Sequence, residues 1–211
     1  LLKLPPDVRN KYDRSTLEIA IHAAAQCPVQ VKEQMIEWWG PIIHEYYAAT
    51  EGLGFTACDS EQWLAHKGTV GKVLIGDLHI LDENMQPAPK GTPGEIWFKT
   101  ATPFEYFNDP ERTQQTRSAD GTMSTVGDVG YVDDDGFLYL TDRVAHTIVS
   151  AGVNIYPQEA ENVLAAHPAV ADVAVIGLPD PDSGERVCAV VQIAGDGEVS
   201  FDELIVHLRD R

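Results

Sequence analysis

Three short stretches of this sequence carry the side chains best suited to chemistry. The first is Tyr46-Tyr47-Ala48-Ala49-Thr50-Glu51-Gly52, which joins two aromatics, small residues, a hydroxyl and a carboxylate. An aromatic face can stack on a purine ring, a hydroxyl can donate to a phosphate oxygen, and a carboxylate supplies the oxygen that Mg²⁺ prefers. The alternative is a buried tyrosine pair followed by a surface turn, and the spacing alone does not choose between them. The other two stretches are Gly127-Asp128 and Asp142-Arg143. If the strands they bound pair across the turn between them, these ends meet. A carboxylate there can accept from both hydroxyls of a ribose, while a guanidinium donates to the sugar or a phosphate. The alternative is a surface ion pair worth about 0–1 kcal/mol. His22 and His146 are the nearest histidines, and neither stands at a ligand or triad spacing. Both read as structural. The acidic run Asp133–Asp135 lacks the alternating oxygen ligands and closing glutamate of a calcium loop, so it reads as solvated.

The elements that must position these groups follow from pattern. Val129, Tyr131 and the run Phe137–Leu140 flank Asp133-Asp134-Asp135-Gly136, a hairpin signal because glycine takes positive φ at little cost. Thr141-Asp142-Arg143 then leads into a short strand, the small-residue loop Ser150-Ala151-Gly152 and a helix over Pro157–His167. That helix sets Ala160, Val163, Leu164 and His167 on one face. Strands are predicted at Val170–Ile176 and Val187–Ile193, and Ser200 with Glu203 forms a capping box for a last helix. Upstream, Pro5-Pro6 reads as extended and Ser15 as the cap of a short helix through Leu17, Ile19, Ala20 and Ile21. Pro28 starts a better helix, with Val31, Met35, Ile36 and Trp39 at helical spacing and Gly40-Pro41 ending it. Ile42–Tyr47 is a strand. Short strands at Val73–Leu81, Glu95–Lys99 and Met123–Thr125, separated by Pro and Gly, suggest a small barrel or curled sheet. After Arg143 the chain reads as α+β, and a domain boundary is expected near Arg143.

Composition narrows the partners. Fifteen basic against 33 acidic residues give a formal charge of −18, which repels nucleic acid and anionic membrane. Nucleotide phosphates would be repelled too, unless local donors or a metal hold them. The three cysteines, Cys27, Cys58 and Cys188, are odd in number and show no CxxC pair. They argue against a disulfide framework or zinc site and for a cytoplasmic location. No apolar run approaches the roughly 20 residues of a membrane span. The start at Leu1 and the stop at Arg211 read as those of a fragment.

Taken together, these segments resemble the adenylate-forming superfamily of acyl-CoA synthetases, luciferase and peptide-synthetase adenylation domains. Tyr47-Ala48-Ala49-Thr50-Glu51 is similar to its Tyr-Gly-x-Thr-Glu motif, and Thr125–Arg143 to its Thr-Gly-Asp…Gly-Arg block. Ile148–Glu161 is similar to its Ser-Gly-Gly-x-Asn-Ile-x-Pro-x-Glu-x-Glu block. The runs EYYAATEG, FEYFNDPERT, YLTDR and GVNIYPQEAENVL look most like bacterial fatty-acid and related carboxylic-acid CoA ligases. The resemblance implies that residues 1–143 are the C-terminal portion of a large AMP-binding domain, an α/β layer plus a distorted β-barrel. Residues 144–211 would be the start of a mobile α+β lid. It implies a carboxylate, ATP and CoA as small-molecule partners, an acyl-adenylate intermediate, and Mg²⁺, with self-association left open. By position, Tyr47 would stack on adenine, Thr50 would contact phosphate and Glu51 would hold Mg²⁺. Asp128 and Arg143 would bind the ribose, and His22, Ala23, Ala24 and Ala25 would line the adenine and acyl pockets. Ser150, Ala151 and Gly152 would face CoA after the lid rotates.

The sequence also departs from that pattern. The family's phosphate loop and catalytic lysine would lie upstream of Leu1 and beyond Arg211. The hinge position is Ala145, followed by His146. Ala48 and Ala151 stand where the motifs carry glycine, each at a cost of about 1 kcal/mol if φ is positive. Rival readings are an adenylating enzyme with a carrier-protein acceptor, and a non-catalytic nucleotide-binding fragment.

Overall fold

The computed structural model describes residues 1–99, 104–195 and 198–209. Its contacts divide the chain into two units, Leu1–Leu140 and Thr141–Arg211.

The first unit opens with a one-turn helix α1 (Pro6–Arg9), where Pro6 occupies the first turn and only Pro5 is extended. Ser15 does not cap a helix. Its N–H and hydroxyl both donate to the Asp13 carboxylate in a local turn, at 2.9 and 3.0 Å. The chain then runs into strand β1 (Ala20–His22). The alternating Ile19-Ala20-Ile21-His22 pattern thus serves a strand, because a neighbour of parallel register is there to pair with it. Helix α2 (Val29–Trp39) starts behind Pro28 and stops at Gly40, whose φ of 85° ends the helical path. Strand β2 (Ile43–Ala48) lies parallel to β1, with His22 opposite Glu45. Strand β3 (Phe55–Cys58), helix α3 (Ser60–Ala65) and strand β4 (Lys72–Ile75) complete a sheet of order β1-β2-β3-β4. Asp59 and Gln62 cap α3 reciprocally.

The expected strand Val73–Leu81 is broken at Gly76, whose φ is 93°. After it, β5 (Asp77–Leu81) enters a second sheet with β6 (Gly94–Lys99), β7 (Met123–Val132) and β8 (Leu138–Arg143) in the order β5-β6-β7-β8. Helix α4 (Pro110–Gln115) is inserted before β7. The second sheet is open: among the described residues no barrel closes. Leu138 instead exchanges backbone bonds with Val70 and Gly71 at 2.8 and 2.9 Å, which ties the sheet's outer strand to the segment before β4. Gly71 permits that approach. Its φ is 97°, and a Cβ there would fall 2.1 Å from the Ala57 carbonyl. Two cores result. Ile36, Ile43, Cys58, Trp63 and Phe137 pack in one, and Leu53, Val70, Ile96, Phe98 and Leu138 in the other.

The second unit begins within β8 and passes through a 3₁₀ turn (Val144–His146). Strands β9 (Ile148–Ser150) and β10 (Val153–Ile155) follow, then helix α5 (Pro157–Ala165), strands β11 (Val170–Asp180) and β12 (Gly184–Ile193), and helix α6 (Phe201–Arg209). The sheet order is β10-β9-β12-β11. Its core joins Ile148, Leu164 and Val175, with Leu204 and Leu208 of α6 packed on it. Ser200 and Glu203 form the expected capping box.

Candidate functional site

Residues Tyr47, Thr50 and Glu51 sit at the C-terminal end of β2 and in the loop beyond it. Strand β2 is parallel to β1 on one side and antiparallel to β3 on the other. Alternation along β2 puts Glu45 and Tyr47 on one face, and parallel pairing puts His22 beside Glu45 on it. The Tyr47 hydroxyl donates to Asp128 Oδ2 at 2.7 Å. Two stretches 81 positions apart in sequence therefore meet through one hydrogen bond. Asp128 is buried within β7, and the ring of Tyr47 is fixed from its far end.

Glu51 is held by two hydroxyls. Tyr106 donates to Oε1 at 2.8 Å and Thr50 to Oε2 at 3.1 Å. Burial works to raise the Glu51 carboxyl, but the Tyr106 bond, the backbone, Thr50 and the Arg112 charge outweigh it and hold the group below the usual range. The carboxylate is thus charged and oriented, as a hard cation requires. Among the described residues no cluster of three or more metal-ligating side chains exists.

Strand β2 also carries a buried ion pair, through Glu45. Lys32 is 2% exposed and pairs with Glu45, while its ammonium stands 4.7 Å from the Trp63 ring centroid. His22 Nδ1 lies 3.4 Å from the other Glu45 oxygen. Ala23, Ala24 and Ala25 follow His22 in a loop, where Ala24 takes a φ of 72°. Gln26 anchors that loop by donating to the Leu140 carbonyl at 3.4 Å. Cys58 borders the pair, and burial pushes its thiol up to about 11.

In the second unit Arg143 ends β8. Asp142 does not simply face solvent. Its carboxylate accepts from the Arg143 N–H at 2.7 Å and from the Gln158 N–H at 3.1 Å, so it caps α5 from 16 residues upstream. His146 Nδ1 is 3.4 Å from the same carboxylate, and Ala145 lies in the 3₁₀ turn. Ser150 closes β9. Ala151 takes a φ of 49° and Gly152 one of 79°, and the Ala151 N–H donates to Ser183 at 2.8 Å. Ala48, by contrast, is an ordinary strand residue and carries no such strain.

Some groups that matter here escape a reading of the sequence. Tyr106 and Arg112 fall in the run FEYFNDPERT, whose Asp-Pro pair signals a helix start, but nothing local shows that Tyr106 reaches Glu51. The acidic turn is also more than solvated. Asp133 accepts from Tyr139 at 3.1 Å, its other oxygen accepts from the backbone of Asp135 and Phe137, and His66 Nδ1 lies 3.0 Å away.

Two family descriptions match the chain: AMP-binding enzyme over residues 1–106 and AMP-binding enzyme C-terminal domain over residues 159–211. The chain belongs to the AMP-binding enzyme family. It is 37% identical over 191 residues to the medium/long-chain-fatty-acid–CoA ligase FadD8 of Mycobacterium tuberculosis, covering 88% of this chain and 33% of that protein. Among solved structures, the amide bond synthetase McbA of Marinactinospora thermotolerans aligns with a TM-score of 0.83 at 32% identity, covering 98% of this chain and 43% of that one. The o-succinylbenzoate CoA synthetase MenE of Bacillus subtilis, in complex with its acyl-adenylate intermediate OSB-AMP, aligns with a TM-score of 0.80 at 28% identity. That match covers 93% of this chain and 42% of MenE. The chain therefore spans about a third of the length of FadD8. The mixed α/β architecture that the resemblance implied matches that of these two solved structures.

Proposed function

We propose that the protein carrying this chain joins a carboxylic acid, of the fatty or a related class, to coenzyme A at the expense of ATP. The carboxylate attacks the α-phosphate, giving an acyl-adenylate and releasing pyrophosphate. The CoA thiol then attacks the acyl carbon, forming the thioester and releasing AMP. The observation that carries this reading is the Tyr47–Asp128 hydrogen bond, which joins an aromatic side chain near the end of β2 to a buried carboxylate of β7 in a chain of the AMP-binding enzyme family. In this reading residues 1–143 close the large AMP-binding domain and residues 144–211 begin the mobile one.

The roles follow from chemistry. Tyr47 stacks on adenine, its tilt set by Asp128, and Asp128 accepts from the ribose hydroxyls. Thr50 donates to a phosphate oxygen. Glu51 would hold Mg²⁺, which when bound neutralises phosphate charge. Arg143 donates to the ribose. His22, Ala23, Ala24 and Ala25 line the adenine and acyl side, where small residues let a ligand approach the backbone. Ser150, Ala151 and Gly152 offer backbone to CoA. Directed donors of this kind answer the formal charge of −18, which would otherwise repel both nucleotides.

The test is ATP–pyrophosphate exchange by the full-length protein across a panel of carboxylic acids, followed by AMP release on adding CoA. Acid-dependent exchange together with CoA-dependent release is the expected result. Exchange without acid dependence, or none with any acid, sinks the proposal. A second reading concerns the acceptor alone, because McbA, an amide bond synthetase, aligns over 98% of this chain. Release of AMP driven by an amine and not by CoA would favour it, and loading of a carrier protein would favour that acceptor instead.

A further inference from the structure

We propose that Tyr106 is the positioning residue for the Glu51 carboxylate, and that the segment from Tyr106 to Thr113 is its mount. The inference rests on the reading of Glu51 as the Mg²⁺ ligand and Thr50 as a phosphate donor.

A threonine hydroxyl has one proton to donate. Thr50 places it on Glu51 Oε2, at 3.1 Å. When that proton turns to a phosphate oxygen, Oε2 loses its donor and becomes available to the cation. Glu51 would then swing about its side-chain torsions unless a second group held the other oxygen. Tyr106 is that group, donating to Oε1 at 2.8 Å. Its bond need not break when nucleotide binds, because the cation takes the opposite oxygen.

The surroundings of Tyr106 are built to hold it still. Its backbone N–H donates to Thr113 Oγ1 at 2.9 Å, and its carbonyl accepts from the Asp109 N–H at 3.2 Å. Thr113, itself buried, donates back to the Asp109 carbonyl at 2.8 Å. The Asp109 side chain caps α4 through the Arg112 N–H at 3.0 Å. Arg112 in turn sets its guanidinium 4.1 Å from the Tyr106 ring centroid, and Phe104 meets the ring edge-on at 5.2 Å. Asn108 makes the turn possible with a φ of 54°. The Asn-Asp-Pro-Glu-Arg-Thr run thus gains a purpose that its sequence does not announce: it fixes a hydroxyl 55 positions from the carboxylate it serves. Groups that orient a metal ligand from behind typically change metal affinity by about 10–100-fold when removed.

The experiment measures ATP binding to the full-length protein by isothermal titration calorimetry, with and without Mn²⁺, and AMP binding without metal. In the unaltered protein Mn²⁺ should tighten ATP binding. Tyr106→Phe, which removes one oxygen, should shrink that tightening by about tenfold or more while leaving metal-free ATP and AMP binding within about twofold. Thr113→Ala keeps the hydroxyl but loosens the mount, and should give a smaller loss of the same kind. Should Tyr106→Phe fold poorly, this second variant carries the test. An undiminished Mn²⁺ effect in both variants overturns the proposal, as does an equal loss of metal-free binding. Glu51→Gln run in parallel separates the two levels. If it leaves the Mn²⁺ effect intact, the reading of Glu51 fails and the proposal with it. If it removes the effect while Tyr106→Phe does not, only the proposal fails.

Discussion

Lys32 and Glu45 form a buried ion pair, with Glu45 on the strand that leads into the loop carrying Thr50 and Glu51. Taking charges out of water costs several kcal/mol per ion, and each needs the other to remain there. Lys32→Met should therefore destabilise the chain by about 3–5 kcal/mol, because it strands Glu45. Adding Glu45→Leu should recover most of that loss. Urea denaturation of the two single variants and the double variant measures it; a double variant no more stable than Lys32→Met would refute the argument. Residues of this kind are the least legible in a sequence. Lys32 lies on α2 between Val31 and Glu33 and looks like any solvated helix lysine until tertiary packing places it over Trp63. Tyr106 is equally silent. Tyr46–Glu51 was legible, because an aromatic, a hydroxyl and a carboxylate at a strand end are a local pattern. Its bond to Asp128 was not, since it depends on how two sheets are joined.

Elements show the same division. Helix α2, strand β2, the β11–β12 pair and the capped α6 follow from Pro, Gly and apolar periodicity acting over a few residues. The stretch from Ser15 went the other way, because parallel pairing with β2 outweighs the weak helical preference of so few residues. Gly76 divided a run that looks continuous, since only its positive φ lets the chain leave one sheet for the next. The loop after β9 offers a direct test of local strain. Ala151 is left-handed, a conformation that costs an L-residue about 1–2 kcal/mol. Ala151→Gly relieves that strain but adds about 0.4–1 kcal/mol of unfolded-state entropy. The net expectation is a gain of about 0–1.6 kcal/mol in the stability of the unit it belongs to. Thermal unfolding of the variant checks it, and a lower midpoint would show that Ala151 is not strained.

At the scale of the whole molecule, carboxylates dominate, and their environments pull stability in opposite directions with pH. Burial raises Glu95 despite the hydrogen bond it accepts from Thr125, so the folded state prefers it protonated. Its contribution is full below the ordinary glutamate value and is lost as pH rises through its folded value. Asp133 has the opposite sign. Burial works to raise it, but bonds from the Phe137 backbone, His66 and Tyr139 prevail and lower it. Its contribution is full above the ordinary aspartate value and is lost as pH falls below that. Glu95→Gln should therefore raise the unfolding midpoint at pH 8 and lose that advantage near pH 4, while Asp133→Asn should lower it at pH 7 and matter least in acid. Midpoints independent of pH for both variants would contradict this. A mixed α/β architecture could be anticipated from the resemblance, but the openness of the second sheet could not, because closure depends on strand pairings that short-range pattern does not encode. The close approach at Gly71 bears on how tolerance to change is distributed over the chain. No side chain fits there, so in a scan of every substitution Gly71 would stand out as sharply as the proposed ligand-binding positions Glu51 and Asp128. Scoring cellular abundance alongside growth would separate the two kinds of position: at Gly71 the protein itself should vanish, whereas at Glu51 it should persist without working.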